Sequence, residues 1–229
     1  MPRAVIFDID GTLYDYSAAH VYAFRALSDY AAKALGLTAE RFEMLHDWAD
    51  ERLRAHTGGH CAAIHDRLIR YQLMLERLGL SIAHAQKMEQ IYWSTLIGHM
   101  APNPGLHEAF DWIKARGLRL GVGTNMTANW QFAKLERLGV LGQVDFMVTS
   151  EEAGAEKPDQ RLFQLCAEKA GCAPEECVFV GDSLRGDVLG AQAAGMRGIW
   201  LHDGTTEAAP GIARIDALSR LPEALSKEC

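Results

Sequence analysis

The stretch Val5-Ile6-Phe7-Asp8-Ile9-Asp10-Gly11-Thr12 decides how the rest of the chain is read. Ala4 to Phe7 is wholly apolar and does not alternate, the pattern of a strand buried on both faces in a parallel α/β sheet. Such sheets carry their chemistry outside the carboxyl ends of the strands, where Asp8 stands. If the extended backbone continues, a spacing of two turns Asp8 and Asp10 toward the same side. Gly11 then lets the chain leave the strand sharply. Two acids there suit a divalent cation, an acid/base pair or both; the competing reading is an Asp-Gly turn that only closes a strand.

Beyond Thr12 the character changes. From about Ser17 to about Met100 the spacing predicts four helices and no strands. Tyr22, Leu27, Tyr30, Ala31, Ala34 and Leu35 recur at helical spacing up to Gly36. Thr38 is placed to cap a second helix through Phe42, Leu45 and Leu53, which Gly58-Gly59 breaks. A third runs from Ile64 to Leu78, and Ser81 opens a fourth through Tyr92, Trp93 and Leu96. Short breaks between four helices predict an antiparallel bundle. Pro102-Asn103-Pro104-Gly105 then punctuates the chain. Helix and strand patterns alternate beyond it, with strands at Leu118–Val122, Phe146–Val148, Val178–Val180 and Ile199–Leu201. The expected fold is α/β: a Rossmann-like, doubly wound parallel sheet core with an inserted four-helix cap. The expected domains are 1–16 with 101–229 for the core and 17–100 for the cap.

The balance of 23 basic against 30 acidic residues, net −7, argues against a nucleic-acid polymer as partner. A small anion stays open, because one lysine and a metal invert the local field. Cys61, Cys166, Cys172, Cys177 and Cys229 form no Cys-x-x-Cys pair, so thiols in a reducing cytoplasm are expected, not a disulfide framework or thiolate metal site. Met1-Pro2-Arg3 and four apolar residues are too few for a signal peptide, and no apolar run reaches a membrane span. Monomer and homodimer both stay open.

Three further segments carry chemistry. Gly123-Thr124-Asn125 closes a strand before a helix, where a hydroxyl and free backbone N–H groups form a phosphate-sized site; simple capping is the alternative. In Glu156-Lys157-Pro158-Asp159, Pro158 fits the first turn of a helix and keeps Lys157 extended just outside it. A lysine held there can neutralise a transferring phosphoryl group, or it is an ordinary surface lysine. Gly181-Asp182-Ser183-Leu184-Arg185-Gly186-Asp187 sets two acids on a strand-end loop, hard oxygen donors suited to Mg²⁺, with Asp187 as a plain N-cap the rival account.

In order, Asp-x-Asp-Gly-Thr, Thr-Asn, Lys-Pro and Gly-Asp-Ser-x-x-x-Asp resemble the four motifs of the haloacid dehalogenase superfamily of hydrolases, and the inserted helices resemble its C1-type cap. Thr149 to Pro158 further resembles the branch holding 5′-nucleotidases and phosphoglycolate phosphatases. The resemblance implies Asp8 as nucleophile, Asp10 as general acid and then base, and Lys157 as the neutralising cation. It implies Mg²⁺ on Asp8, the Asp10 carbonyl and Asp182, phosphate on Thr124 and Asn125, and supporting roles for Asp187 and Ser183. It implies hydrolysis of a small phosphorylated metabolite through an aspartyl-phosphate, with a nucleoside 5′-monophosphate as the leading substrate and phosphoglycolate or a sugar phosphate as alternatives. A mutase of the same fold and a non-catalytic binding protein are the remaining readings. Dehalogenases of the superfamily lack the second Asp of the first motif, so Asp10 argues for a phosphatase. In the cap, His46, His56, His60, His65, Trp48 and Trp93 are candidates for lining a pocket, and Leu13-Tyr14-Asp15-Tyr16, the entry to the cap beside Asp10, is the expected substrate contact, with Tyr14 the residue to test.

Overall fold

A computed structural model describes residues 2–204 and 211–226; Met1 and Cys229, both part of the sequence reading, lie outside the described residues. The chain divides into two compact units, one up to Asp15 and again from Ala101, the other Tyr16–Met100.

The first unit is built on a six-stranded, all-parallel sheet: β1 Ala4–Phe7, β2 Arg119–Thr124, β3 Phe146–Thr149, β4 Cys177–Gly181, β5 Arg197–Leu201 and β6 Ala213–Ile215. Their order, β3-β2-β1-β4-β5-β6, reverses direction at β1, so a crevice opens between the carboxyl ends of β1 and β4. Phe7 is in register with both Val122 and Val180, which brings the residues after all three strands to one level.

Helices cover both faces, as the apolar β1 requires. Ala4 and Ile6 lie in a core with Leu162, Phe163 and Cys166 of helix Gln160–Ala170 and with Phe179. The ring of Phe7 meets Phe110 of helix Leu106–Ala115, centroids 5.0 Å apart. The remaining helices of this unit are Ala128–Arg137, Ser150–Ala153, Gly190–Ala193 and Leu221–Ser226. The short strand β6 was not anticipated, because Ala-Arg-Ile carries no apolar run. Helix Gln160–Ala170 starts two residues after Pro158, with the Asp159 carboxylate accepting the Arg161 N–H at 3.0 Å, so Pro158 precedes the helix instead of lying in its first turn. After β4 the chain forms a π-turn of helix over Leu184–Leu189, capped by Ser183. Asp187 is therefore inside that helix and not its N-cap.

The second unit contains helices α1 Tyr16–Leu35, α2 Ala39–Thr57, α3 Arg67–Leu78 and α4 Ala83–Gly98. Packing runs α1 on α2 and α4, and α3 on α2 and α4. Thr38 caps α2 by accepting the Arg41 N–H at 3.3 Å, and Gly58 ends it at φ +76°. The third helix starts later than its spacing implies. A short 3₁₀ turn takes up Ala62–His65, and Asp66 caps α3 through the Ile69 N–H at 3.0 Å. No helix among the described residues is long and apolar enough to cross a membrane.

Phe163 is fully buried and meets Phe179 edge-on with centroids 5.0 Å apart. Phe163→Ala is expected to cost about 3–5 kcal/mol in chemical denaturation; a loss under about 1 kcal/mol would contradict this packing.

Candidate active site

Asp8, the first residue past β1, donates its N–H to the Val180 carbonyl at 3.0 Å, which fixes it at the crevice. Its carboxylate, 8% exposed as a residue, meets Lys157 Nζ at 2.6 Å. The same ammonium lies 2.7 Å from Asp187 Oδ1 and donates to the Gly123 carbonyl at 3.2 Å. Asn125 anchors this lysine, its Oδ1 accepting the Lys157 N–H at 2.9 Å; the Lys157–Pro158 peptide bond is cis. Asp187 spends its second oxygen on the Ser183 N–H at 3.0 Å, while the Ser183 hydroxyl accepts the Gly186 N–H at 3.0 Å. Burial alone would discharge Lys157, but Asp187 and Asp8 outweigh it and hold its pKa above the ordinary value.

Asp182 follows β4. Thr12 donates its hydroxyl proton to Asp182 Oδ1 at 3.2 Å and accepts the Asp182 N–H at 3.1 Å, and Trp200 Nε1–H donates to the Asp182 carbonyl at 2.8 Å. Gly11 has φ +86°, and a Cβ there would collide with the Asp182 carboxylate, so glycine is needed for both shape and space.

Asp8, Asp182 and Asp187 each offer an oxygen within 4.8 Å of the others. Burial, and then the charge of Asp8, raises the pKa of Asp182 against the Thr12 hydrogen bond. Burial also pushes Asp8 up to about 6, with Asp187 adding to the rise and Lys157 opposing it. Three carboxylates against one ammonium leave negative charge uncompensated, and a set of hard oxygens with that excess fits a divalent cation.

Asp10 is held apart from this cluster. Lys134 Nζ reaches both of its oxygens at 2.7 Å, the Tyr14 hydroxyl donates to Oδ1, and Gln131 Nε2 lies 3.4 Å from Oδ2. Burial would raise the Asp10 pKa, but Lys134, then Tyr14 and Gln131, outweigh it and hold the carboxyl below its ordinary range. Tyr14 is fully buried, with its hydroxyl on Asp10. Lys134 and Gln131 were missed from sequence. The signal was there: they fall three apart on the stripe of helix Ala128–Arg137 that also carries buried Leu135, and polar groups on an inward stripe are the informative kind.

Thr124 is buried, its hydroxyl accepting from Gln131 Nε2 at 2.7 Å and donating to the Asn125 carbonyl at 3.2 Å. The N–H groups expected to be free at the next helix are partly taken. Met126 N–H donates to Ser150 Oγ at 2.8 Å, and Ala128 N–H to Glu151 Oε2 at 2.9 Å. Both acceptors follow β3, the sheet neighbour of β2, so the pairing is tertiary. Met126 is held at φ +109°, a strained backbone for a side-chain-bearing residue.

The raised Asp8 pKa has a sign that can be tested in metal-free protein. A carboxyl raised from 3.8 to about 6 on folding contributes stability that is full below its unfolded pKa and lost as pH rises through about 6. Asp8→Asn removes this loss, so its Tm relative to wild type is expected to climb between about pH 4 and 7 in EDTA. A flat difference across that window would contradict the environment described for Asp8.

Residues 2–195 match the family described as haloacid dehalogenase-like hydrolase. A ribulose-1,5-bisphosphate 5-phosphatase of Halopiger xanaduensis is 34% identical over 204 residues, 86% of this chain and 83% of that protein. A pyrimidine 5′-nucleotidase of Escherichia coli is 28% identical over 225 residues, 96% of this chain and 94% of its own. The crystal structure of a 2-haloacid dehalogenase from Pseudomonas syringae pv. tomato superposes over 100% of both chains with a TM-score of 0.81 at 28% identity. With its motifs at the ends of β1, β2 and β4 and this match over most of its length, the chain belongs to the haloacid dehalogenase-like hydrolases.

Proposed function

We propose that this haloacid dehalogenase-like phosphatase hydrolyses a small phosphomonoester through a covalent aspartyl-phosphate on Asp8. The observation that carries the reading is the Lys157 ammonium between Asp8 and Asp187, beside the Asp182 carboxylate, at the crevice of the sheet. A phosphomonoester dianion repels a carboxylate, so attack by Asp8 needs positive charge at the point of approach, and Lys157 supplies it. An Asp8 oxygen bonds to phosphorus as the bond to the leaving oxygen breaks. Asp10, whose protonated form the approaching phosphate dianion favours, delivers that proton to the leaving oxygen, then takes one from the water that cleaves the aspartyl-phosphate and returns phosphate. Thr124 and the backbone at Asn125 bind phosphate oxygens. Mg²⁺, held by Asp8, the Asp10 carbonyl and Asp182, would neutralise charge on the phosphoryl group. Asp187 and Ser183 keep Lys157 and the Asp182 loop in position.

Asp10 supports phosphate over halide as the leaving group, because an alkoxide needs a proton and a halide does not. Cys61, Cys166, Cys172 and Cys177 are all free thiols, which supports work in a reducing cytoplasm. The substrate is a small phosphorylated metabolite, with nucleoside monophosphates, sugar phosphates and phosphoglycolate the candidates.

Phosphate release from such a panel is expected to need Mg²⁺ and to fall to background in Asp8→Asn with folding retained. Turnover persisting in that variant would move the nucleophile elsewhere. Lys134→Met keeps the side-chain volume and removes the charge, so burial then dominates at Asp10. The pH limits that Asp10 imposes on kcat are expected to move up. An unmoved profile would uncouple Lys134 from Asp10.

A further inference from the structure

The helical unit contains a buried positive centre that the chemistry at Asp8 does not use. Arg67 and Arg70 lie three apart in the first turn of α3 and face inward, 8% and 7% exposed. The Arg67 guanidinium lies over the Tyr92 ring, 3.7 Å from its centroid, and donates from Nη2 to the Tyr16 hydroxyl at 2.9 Å. Among the described residues it pairs with no carboxylate. Arg70 donates to the Ile64 carbonyl at 3.0 Å and pairs with Asp50, which also accepts from Arg54 at 2.8 Å. One carboxylate is therefore shared by two guanidiniums, and Arg67 has none.

Arg67, Arg70, Tyr16 and Asp50 line a pocket of about 440 Å³ together with His20, His46 and His65. Asp47 and Glu51 also line it, but both are exposed; Asp47 has 72% of its side chain in solvent and lies 3.6 Å from His46 Nδ1. Asp47 and Glu51 thus sit at the solvent side, with Arg67 and Arg70 inside. Burial first, then Arg67 and Arg70, push His20 and His46 down to about 4, so at neutral pH they bring hydrogen-bonding capacity and no further charge. His46 Nε2 is buried with no partner among the described residues.

A guanidinium cannot shed its proton to escape burial, and a buried charge is tolerated when something pairs with it. Its planar fork matches the two oxygens of a carboxylate or phosphate. We propose that the Arg67–Arg70 pocket is an oxyanion-binding site, taking a carboxylate or phosphate group on Arg67 with Arg70 beside it. The anion is a separate small effector.

The test uses Arg67→Met, which keeps an apolar chain on Tyr92 and removes the charge, and Arg67→Lys, which keeps the charge without the fork. Malonate is titrated into metal-free wild type and variants by calorimetry, a readout that needs no turnover. Arg67→Met is expected to weaken malonate binding about tenfold or more, with Arg67→Lys between the two. In anion-free buffer its Tm is expected to equal or exceed that of wild type, because an unpaired buried charge has gone. A malonate response of phenyl phosphate hydrolysis that disappears in Arg67→Met identifies an effector. If phenyl phosphate is not hydrolysed at all, the Asp8 reading fails while the calorimetry still decides the pocket. Equal malonate binding by wild type and Arg67→Met, or a Tm lowered by that substitution, would overturn the proposal.

Discussion

The Lys157 ammonium, 2.6 Å from Asp8 and 2.7 Å from Asp187, is the contact on which the crevice depends. Parallel strands that end at one level bring their loop carboxylates into a common volume, and buried carboxylates repel one another strongly in low dielectric. A single buried cation between two of them makes that gathering tolerable without neutralising it. The excess negative charge that remains suits a divalent cation; burial first, and neighbouring carboxylates after it, raise Asp8 and Asp182. Each oxygen of Asp187 has one partner, Lys157 or the Ser183 N–H, so the lysine is held from a helix that has its own internal bracing.

The two acids of the first motif, two residues apart, occupy opposite electrostatic environments. Asp8 is raised mainly by burial, whereas Asp10 is lowered because Lys134 outweighs its burial. Attack needs Asp8 ionised and proton delivery needs Asp10 protonated, the reverse of these directions in the metal-free site; bound Mg²⁺ would favour the ionised Asp8, and a phosphate dianion beside Asp10 would favour its protonated form. Lys134, Gln131 and Tyr14 create this asymmetry, and they stand outside the motifs.

In the helical unit, aromatic rings take the place of carboxylates around Arg67. Tyr92 and Tyr16 stabilise the guanidinium through a ring face and a hydroxyl, which leaves its charge uncancelled. That environment differs from the crevice at Asp8, where acids outnumber the cation, and the sequence presents both as plain charged residues.

The local sequence determined strands β1 to β5, the cap of α2 and the motif residues, but neither β6 nor the start of α3. Apolar runs of four or five residues can only be buried, Thr38 caps the helix it precedes, and Gly11 is required where φ is positive. The alternation of strand and helix after Pro104 was enough for a doubly wound sheet, since parallel strands need crossovers. What side chains do after the chain has folded was decided by tertiary structure. Lys134 is ten residues past the Thr124 strand end, and nothing in that separation says that it closes on Asp10. Ser150 and Glu151 fill N–H groups of the preceding loop only because β3 lies next to β2. A periodic pattern reports which side of an element is buried, but the partner of a buried polar group belongs to another segment, and only the fold brings the two within hydrogen-bond reach.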